Sequence, residues 1–321
     1  MSLDQNEPGA ASDTAPDAAR LDATILRAAR RLAGAGVALG HGTDDPVDEA
    51  SWLALHAIGL SPAEVPDHAR RLHPDELAAV DALVARRIDE RLPAAYLTGR
   101  AWFAGHELRS DARALVPRSP IAELVAEGFR GLVPTDRDVR VLDLCTGGGC
   151  IAIAAAHALP RARVDASDLS ADALALAAEN VALHGLGERV RLLHGPLWAP
   201  VEGPYDLVVS NPPYVDAADL AAMPAEYRAE PAMGLGAGED GLDLVHPILA
   251  GAAAVLAPGG VLVVEVGNSA PALERAYPEL DFVWIGFAHG GDGVFALERD
   301  ALVARFGEPG PGGAAAARAP Q

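Results

Sequence analysis

The chain has 321 residues, half of them hydrophobic, enough for a sizeable core and a length that suggests two domains. Its formal charge of −20 sets 45 acids against 25 basic residues, all of them arginine; such a field repels nucleic-acid phosphate and either attracts basic partners or only keeps the chain soluble. No apolar run of about 18 residues marks a membrane span, the acidic N-terminus lacks the layout of a signal peptide, and Cys145 and Cys150 share one loop, so neither a disulfide framework nor a zinc site is indicated and a cytoplasmic protein is expected.

Residues 1–19 are rich in Ala, Asp, Pro and Gly and are expected to be disordered. Leu21, Ile25, Ala28 and Leu32 then mark one face of a helix. Asp45-Pro46 reads as a cap followed by a first-turn proline, opening a helix through Trp52 and Leu55. Ser61-Pro62-Ala63-Glu64 reads as a capping box. Pro74 and Asp75 start a longer helix with Leu77, Val80, Val84 and Ile88 inward. Residues 20–95 thus form a small helical domain. Its arginine pairs, Arg30-Arg31, Arg70-Arg71 and Arg86-Arg87, are interspersed with acids and read as solvated faces rather than a DNA-binding surface.

Between 96 and 117 the pattern changes. The runs Ala101-Trp102-Phe103 and Ala114-Leu115-Val116 flank a polar, glycine-containing stretch, and an antiparallel hairpin linking two domains is expected. A helix follows from Ile121 to about Phe129. The region 118–305 alternates strands and helices, with strands at 139–144, 163–168, 190–193, 206–210, 261–266, 282–287 and 293–298. A helix over 242–256 is expected to stop at Pro258-Gly259-Gly260. This alternation specifies an α/β fold with a mostly parallel sheet covered on both faces. Residues 306–321 read as a disordered tail.

Three stretches carry chemistry. Val141-Leu142-Asp143-Leu144-Cys145-Thr146-Gly147-Gly148-Gly149-Cys150 sits at a strand-to-helix turn, where glycines allow a ligand to approach the backbone closely. Such a loop can cradle a pyrophosphate or wrap the ribose and amino-acid end of S-adenosylmethionine, or be no more than a tight turn. Asp168 ends the next strand, about 20 residues on, where an acid accepts hydrogen bonds from ribose hydroxyls or caps the helix that Ser170 opens. Asp165 faces the other way. Asn211-Pro212-Pro213-Tyr214 ends the strand 206–210. Two prolines fix φ and supply no N–H, leaving a stiff corner with an Asn amide and bare carbonyl acceptors. An Asn-Pro pair alone often starts a turn. Strand, glycine loop, strand with a terminal acid, and this corner on one sheet edge are far more specific together.

That combination resembles the class I S-adenosylmethionine-dependent methyltransferases that modify planar amino groups. Within them the HemK/PrmC-like family is matched more closely. Val116-Pro117-Arg118-Ser119-Pro120-Ile121, Asn211-Pro212-Pro213-Tyr214-Val215-Asp216, Glu230-Pro231, Gly238 with Asp240-Gly241, Glu265-Val266-Gly267-Asn268 and Gly290-Gly291-Asp292-Gly293 resemble its branch acting on a glutamine N(5) of large-subunit ribosomal protein L three. The release-factor branch typically has Pro-Arg-Pro where this chain has Pro117-Arg118-Ser119-Pro120, and glycine in place of Cys145.

The resemblance implies a Rossmann-like methyltransferase domain with a mostly parallel seven-stranded sheet over 118–305. It implies S-adenosylmethionine held by Asp143, Cys145, Thr146, Gly147, Gly149, Asp168, Leu169, Leu197 and Asn211, with no metal. Asn211, Pro212, Pro213 and Tyr214 are the implied catalytic corner. The implied substrate is a basic ribosomal protein, L three, docked on the 20–95 domain and Val116-Pro117-Arg118, without direct contact to nucleic acid or membrane. One departure stands out. The family carries Ser-Asp-hydrophobic-Phe where this chain has Gly195-Pro196-Leu197-Trp198, which leaves Leu197 or Trp198 to flank the adenine by packing.

An amide nitrogen is a poor nucleophile because its lone pair is delocalised. The Asn211 side-chain oxygen and the Pro212 carbonyl can hold its two hydrogens, aim it for in-line displacement and favour the positive charge that builds on it, with Tyr214 packed on the amide plane. An adenine-amino methyltransferase would use the same corner but wants a basic groove. A nicotinamide oxidoreductase explains the glycine loop and Asp168 but not the corner, and a non-catalytic binding module is the third alternative.

Overall fold

The structure, a computed structural model, describes residues 19–60, 66–134 and 136–308. The expected capping box at 61–64 and both expected tails, apart from the residues adjoining the described segments, lie outside them. The chain divides into two compact units, with the boundary between Thr98 and Gly99.

The first unit is helical: α1 (Leu21–Gly34), α2 (Pro46–Ala57), α3 (Pro74–Glu90) and α4 (Ala94–Thr98). Asp45 caps α2 by accepting the Val47 N–H at 2.6 Å, with Pro46 in the first turn. Leu21, Ile25, Ala28 and Leu32 pack with Leu53, Ala54, Val80 and Val84. Arg86 pairs with Glu90 on the surface, but Arg87 is fully buried and donates to Glu49 at 2.9 Å and to the Ala38 carbonyl at 2.7 Å. The solvated-face reading therefore fails at Arg87. Its stem follows the apolar side of α3, and a partner from α2, far off in sequence, neutralises the head.

The second unit opens with β1 (Arg100–Phe103) and β2 (His106–Arg109), an antiparallel hairpin registering Arg100 with Arg109 and Phe103 with His106. The expected partner, Ala114-Leu115-Val116, is not a strand. The turn is Ala104-Gly105, with φ of 48° and 81°, the left-handed pair a two-residue hairpin demands. Alanine is an unusual occupant there, so the sequence hid the turn.

After α5 (Ile121–Ala126) comes the alternating core: β3 (Arg140–Leu144), α6 (Cys150–Ala158), β4 (Arg163–Asp168), α7 (Ala171–Leu183), β5 (Val190–His194) and β6 (Tyr205–Ser210). Then follow α8 (Ala217–Ala222), α9 (Val245–Ala252), β7 (Leu256–Glu265), α10 (Ala270–Ala276), β8 (Val283–Trp284), β9 (Val294–Glu298) and α11 (Arg299–Phe306). The seven strands lie in the order β5-β4-β3-β6-β7-β9-β8, all pairs parallel except those made by β9. Alternate residues feed two cores. Val141, Val164, Leu207 and Val263 meet α6 on one face, while Leu142, Val208, Leu262 and Val264 meet α9 on the other. The helix expected over 242–256 is shorter, and β7 begins at Leu256 and runs through Pro258-Gly259-Gly260. A register shift between Tyr205 and Leu207 on β6 accommodates that irregular start.

Strand order reverses beside β3, with β4 and β5 on one side and β6 and β7 on the other. In open α/β sheets the crevice outside the carboxyl ends at such a switch point receives ligands. Leu144 of β3 registers with Ser167 of β4 and Ser210 of β6, so the glycine loop, Asp168 and Asn211 emerge side by side.

Candidate active site

A cavity of about 460 Å³ opens at this edge. Cys145 and Gly147 form one wall, and Asp168, Leu169 and Ser170 a second. Pro196, Leu197, Asn211 and Pro213 contribute, together with Leu115 and Met233. Leu169 and Met233 are large apolar side chains left more than half exposed here.

Asp143 builds the loop from behind. It is fully buried, and its Oδ2 accepts from the Thr146 hydroxyl at 2.5 Å and from the Ala152 N–H at 2.9 Å. Burial pushes its carboxyl up to about 7 against those bonds. Gly149 caps α6 at a φ of 84°, and a Cβ there would press on Ala177 at 3.3 Å. Asp143, Thr146 and Gly149 do not line the cavity; they hold Cys145 and Gly147, which do. Cys145 itself has a φ of 62°, a strained conformation for a residue with a Cβ, and burial raises its thiol's pKa.

Asp168 joins the glycine loop to the start of α7, which Ser170 caps. Its Oδ1 accepts from the Ser170 N–H and its Oδ2 from the Gly147 N–H, each at 2.8 Å. A carboxylate offers about four acceptor sites, so lone pairs remain toward the cavity. Asp165 lies on the other face of β4, bound by Arg191, Arg140 and the Tyr205 hydroxyl.

Asn211 also lines a second cavity of about 250 Å³, with Pro212, Tyr214, Arg118, Tyr227 and Asn268. Leu115 and Gly234 belong to both cavities, and they touch so closely that a Cβ on Gly234 would meet Leu115 Cδ1 at 2.2 Å. The Asn211 Nδ2 donates to the Arg118 carbonyl at 3.4 Å, which turns its Oδ1 away from that backbone. Tyr214 is fixed at both ends. Its hydroxyl donates to Glu265 Oε1 at 2.8 Å, and its carbonyl accepts from Ser269 Oγ at 2.9 Å. Gly267 lies under the ring, where a Cβ would come within 2.6 Å of it. Burial first, then the adjoining Glu265, raises the Tyr214 phenol, which therefore stays protonated.

Two groupings were invisible as chemistry in the sequence. Arg118 forks onto the buried Glu230 carboxylate at 2.6 and 2.7 Å, and Glu230 Oε1 also accepts the Val116 N–H at 2.9 Å. Ser119 Oγ donates to Glu265 Oε2 at 2.5 Å, opposite Tyr214. The first ties the segment 116–119 to Glu230, and the second ties it through Glu265 to Tyr214 of the corner. Trp198 does not line the first cavity. It is buried, its Nε1 donates to the Pro247 carbonyl, and Gly251 packs against its ring, so of the two residues expected to flank the adenine only Leu197 lines the cavity.

With this geometry established, comparison with known proteins decides the family. Residues 23–99 match the PrmC N-terminal domain, and residues 129–226 match the methyltransferase small domain. A ribosomal protein uL3 glutamine methyltransferase of Bordetella pertussis is 49% identical over 281 residues, covering 87% of this chain and 94% of that one. The protein of the same name from Xylella fastidiosa is 50% identical, covering 87% and 90%, and that of Xanthomonas campestris is 50% identical, covering 84% and 88%. The chain belongs to the uL3 glutamine methyltransferase family. It is a methyltransferase, and its seven-stranded sheet with one reversed strand is the Rossmann-like fold the sequence implied. Among the described residues no helix is long and apolar enough to cross a membrane.

Proposed function

We propose that the protein transfers a methyl group from S-adenosylmethionine to the side-chain amide nitrogen of a glutamine in ribosomal protein uL3. The observation that carries this reading is that Asn211 lines both cavities, with its NH₂ engaged by the Arg118 carbonyl.

The larger cavity suits the cofactor. Its volume falls in the range of small-molecule sites, its walls are mainly apolar, and a carboxylate stands at one side. Asp168 would accept from the ribose hydroxyls, Leu169 and Leu197 would pack on the adenine, and the Cys145–Gly147 backbone would follow the amino-acid end. Bound there, S-adenosylmethionine supplies an electrophilic sulfonium methyl group. Asp143, Thr146 and Gly149 act on it only through the loop they hold.

The smaller cavity suits the glutamine side chain. Asn211 Oδ1 and the Pro212 carbonyl accept its two N–H bonds, which holds the nitrogen between the cavities and favours the positive charge it gains. Pro213 lines the cofactor side of the corner, and Tyr214 the substrate side. No base is needed before attack, because the nitrogen's protons become acidic as the new C–N bond forms. The acidic chain suits a basic substrate protein, and charge complementarity acts mainly on encounter rate.

Incubation of purified uL3 with the enzyme and S-adenosylmethionine, read by tandem mass spectrometry, tests the proposal. One methyl group on a glutamine of uL3 is expected. An unmodified uL3 alongside a methylated release factor would overturn it.

A further inference from the structure

Three histidines outside both cavities come together beside the turn of the hairpin. His106 opens β2, His157 lies in the last turn of α6, and His184 is the residue that ends α7. One ring nitrogen from each lies within 4.8 Å of the others. His157 Nε2 and His184 Nδ1 are 3.2 Å apart. The His106 ring stacks on His157, with centroids 4.3 Å apart and planes at 19°.

The tautomer of His184 is fixed by its neighbour. Its Nε2 is 2.8 Å from the Glu107 carbonyl, which can only accept. Nε2 therefore carries the proton, and Nδ1 turns its lone pair toward the other two rings. Metal-ligating histidines are oriented in this way, the outer N–H donating to a backbone carbonyl or carboxylate. The spacing agrees as well. Two nitrogens on a tetrahedral zinc at about 2.0–2.1 Å sit roughly 3.3–3.4 Å from each other. The 3.2 Å pair nearly meets that spacing, and the third nitrogen, on the partly buried His106 ring, lies within 4.8 Å of both.

We propose that His106, His157 and His184 bind one divalent first-row transition metal ion, of which zinc is the reference case. A set of neutral imidazoles suits zinc, cobalt, nickel and copper rather than magnesium or calcium, which take oxygen ligands. Three protein ligands leave one position for water. The ion replaces the single His157–His184 hydrogen bond and clamps β2 to α6 and α7. The clamp sits one helical turn from Asn180, whose side chain holds the Arg109 backbone at 2.7 and 3.2 Å and the Gly148 carbonyl at 2.9 Å. Metal binding therefore stiffens the strand that Asn180 ties to the glycine loop.

Calorimetry of the chelator-treated full chain with zinc chloride at pH 7.5 tests the site. One zinc per chain is expected, with a raised melting temperature. His106→Ala, His157→Ala and His184→Ala should each weaken binding by about tenfold or more, in line with the cost of losing even an outer-shell partner. Unchanged affinity in any one of the three overturns the three-histidine site, as does the absence of zinc binding to the wild-type chain. Proton NMR of the wild-type chain with cobalt chloride adds a measurement that needs no substitution. A strongly shifted exchangeable imidazole proton, from His184 Nε2, is expected, and its absence refutes the assigned ligation.

Discussion

Replacing Asn211 by alanine separates the proposed chemistry from the fold that presents it. The structure gives the side chain one long hydrogen bond, 3.4 Å from Nδ2 to the Arg118 carbonyl, so the stability cost should stay below about 1 kcal/mol. The cost to turnover is larger. Substrate nitrogen gains positive charge at the transition state and would lose one of two acceptors, and a hydrogen bond to a charged group is worth about 1.5–3 kcal/mol. That converts to roughly a 10- to 150-fold loss in rate. Asn211→Asp sharpens the test. It keeps one oxygen toward the substrate but sets the other against the Arg118 carbonyl, acceptor against acceptor, so it should lose as much as alanine. Single-turnover methylation of uL3 with saturating cofactor, alongside chemical denaturation, reads both quantities. Turnover of the alanine variant within about threefold of wild type, some 0.6 kcal/mol, would refute the role given to Asn211.

Arg118→Ala leaves the buried Glu230 carboxylate without its guanidinium partner and should destabilise the chain by about 3–5 kcal/mol in urea denaturation; a loss under about 1 kcal/mol, the range of an exposed ion pair, would show that the fork is not a buried one. Asp168→Ala should weaken S-adenosylmethionine binding by about 1.5–3 kcal/mol in calorimetry. Asp165→Ala should leave that binding intact and lower stability, since burial opposes the Asp165 charge but bonds from Arg191 and Tyr205 outweigh it and hold its pKa below the usual carboxylate value. That contribution is present above the unfolded carboxyl pKa of about 3.9 and is lost as pH falls through the lower folded value. Asp143 carries the opposite sign: the folded chain keeps its proton up to about 7, so its share of stability declines as pH rises toward that value, and Asp143→Asn should remove that slope from the denaturation profile.

The sheet was readable because its strands alternate with helices and turn residues along the chain, and the glycine loop, Asp168 and Asn211 fell into place once strand order set one edge. Failures came where a partner lies far away in sequence. Nothing near Arg87 announces Glu49, and Arg118 and Glu230 are joined across 112 positions. The motif stretches quoted for the resemblance held Arg118, Ser119, Glu230, Glu265 and Gly267, yet their purpose appears only when they close around Tyr214 and the corner beside it. Trp198 was placed by its sequence neighbour Leu197, but its ring is buried in the core with Nε1 donating to the Pro247 carbonyl. The hairpin was misregistered for a local reason: Ala104 occupies a left-handed position usually given to Asn or Gly.

Selectivity in the proposed reaction follows from what the corner cannot do. Pro212 and Pro213 have no N–H, so their backbone toward the ligands offers only acceptors. Of the two donors on the corner's side chains, the Asn211 NH₂ is turned to the Arg118 carbonyl. Arg118's guanidinium donates from both terminal nitrogens to Glu230. Tyr214's hydroxyl donates to Glu265. A group entering the smaller cavity therefore meets acceptors and must bring two N–H donors to satisfy them. A glutamine amide does so. A glutamate carboxylate would press its oxygens against Asn211 Oδ1 and the Pro212 carbonyl, leaving buried acceptors unpaired, and sites built to hydrogen-bond a donor reject analogues lacking it by about 10⁴-fold or more. The same arrangement requires Asn rather than Asp at 211, since only the amide can face an acceptor on one side and accept on the other.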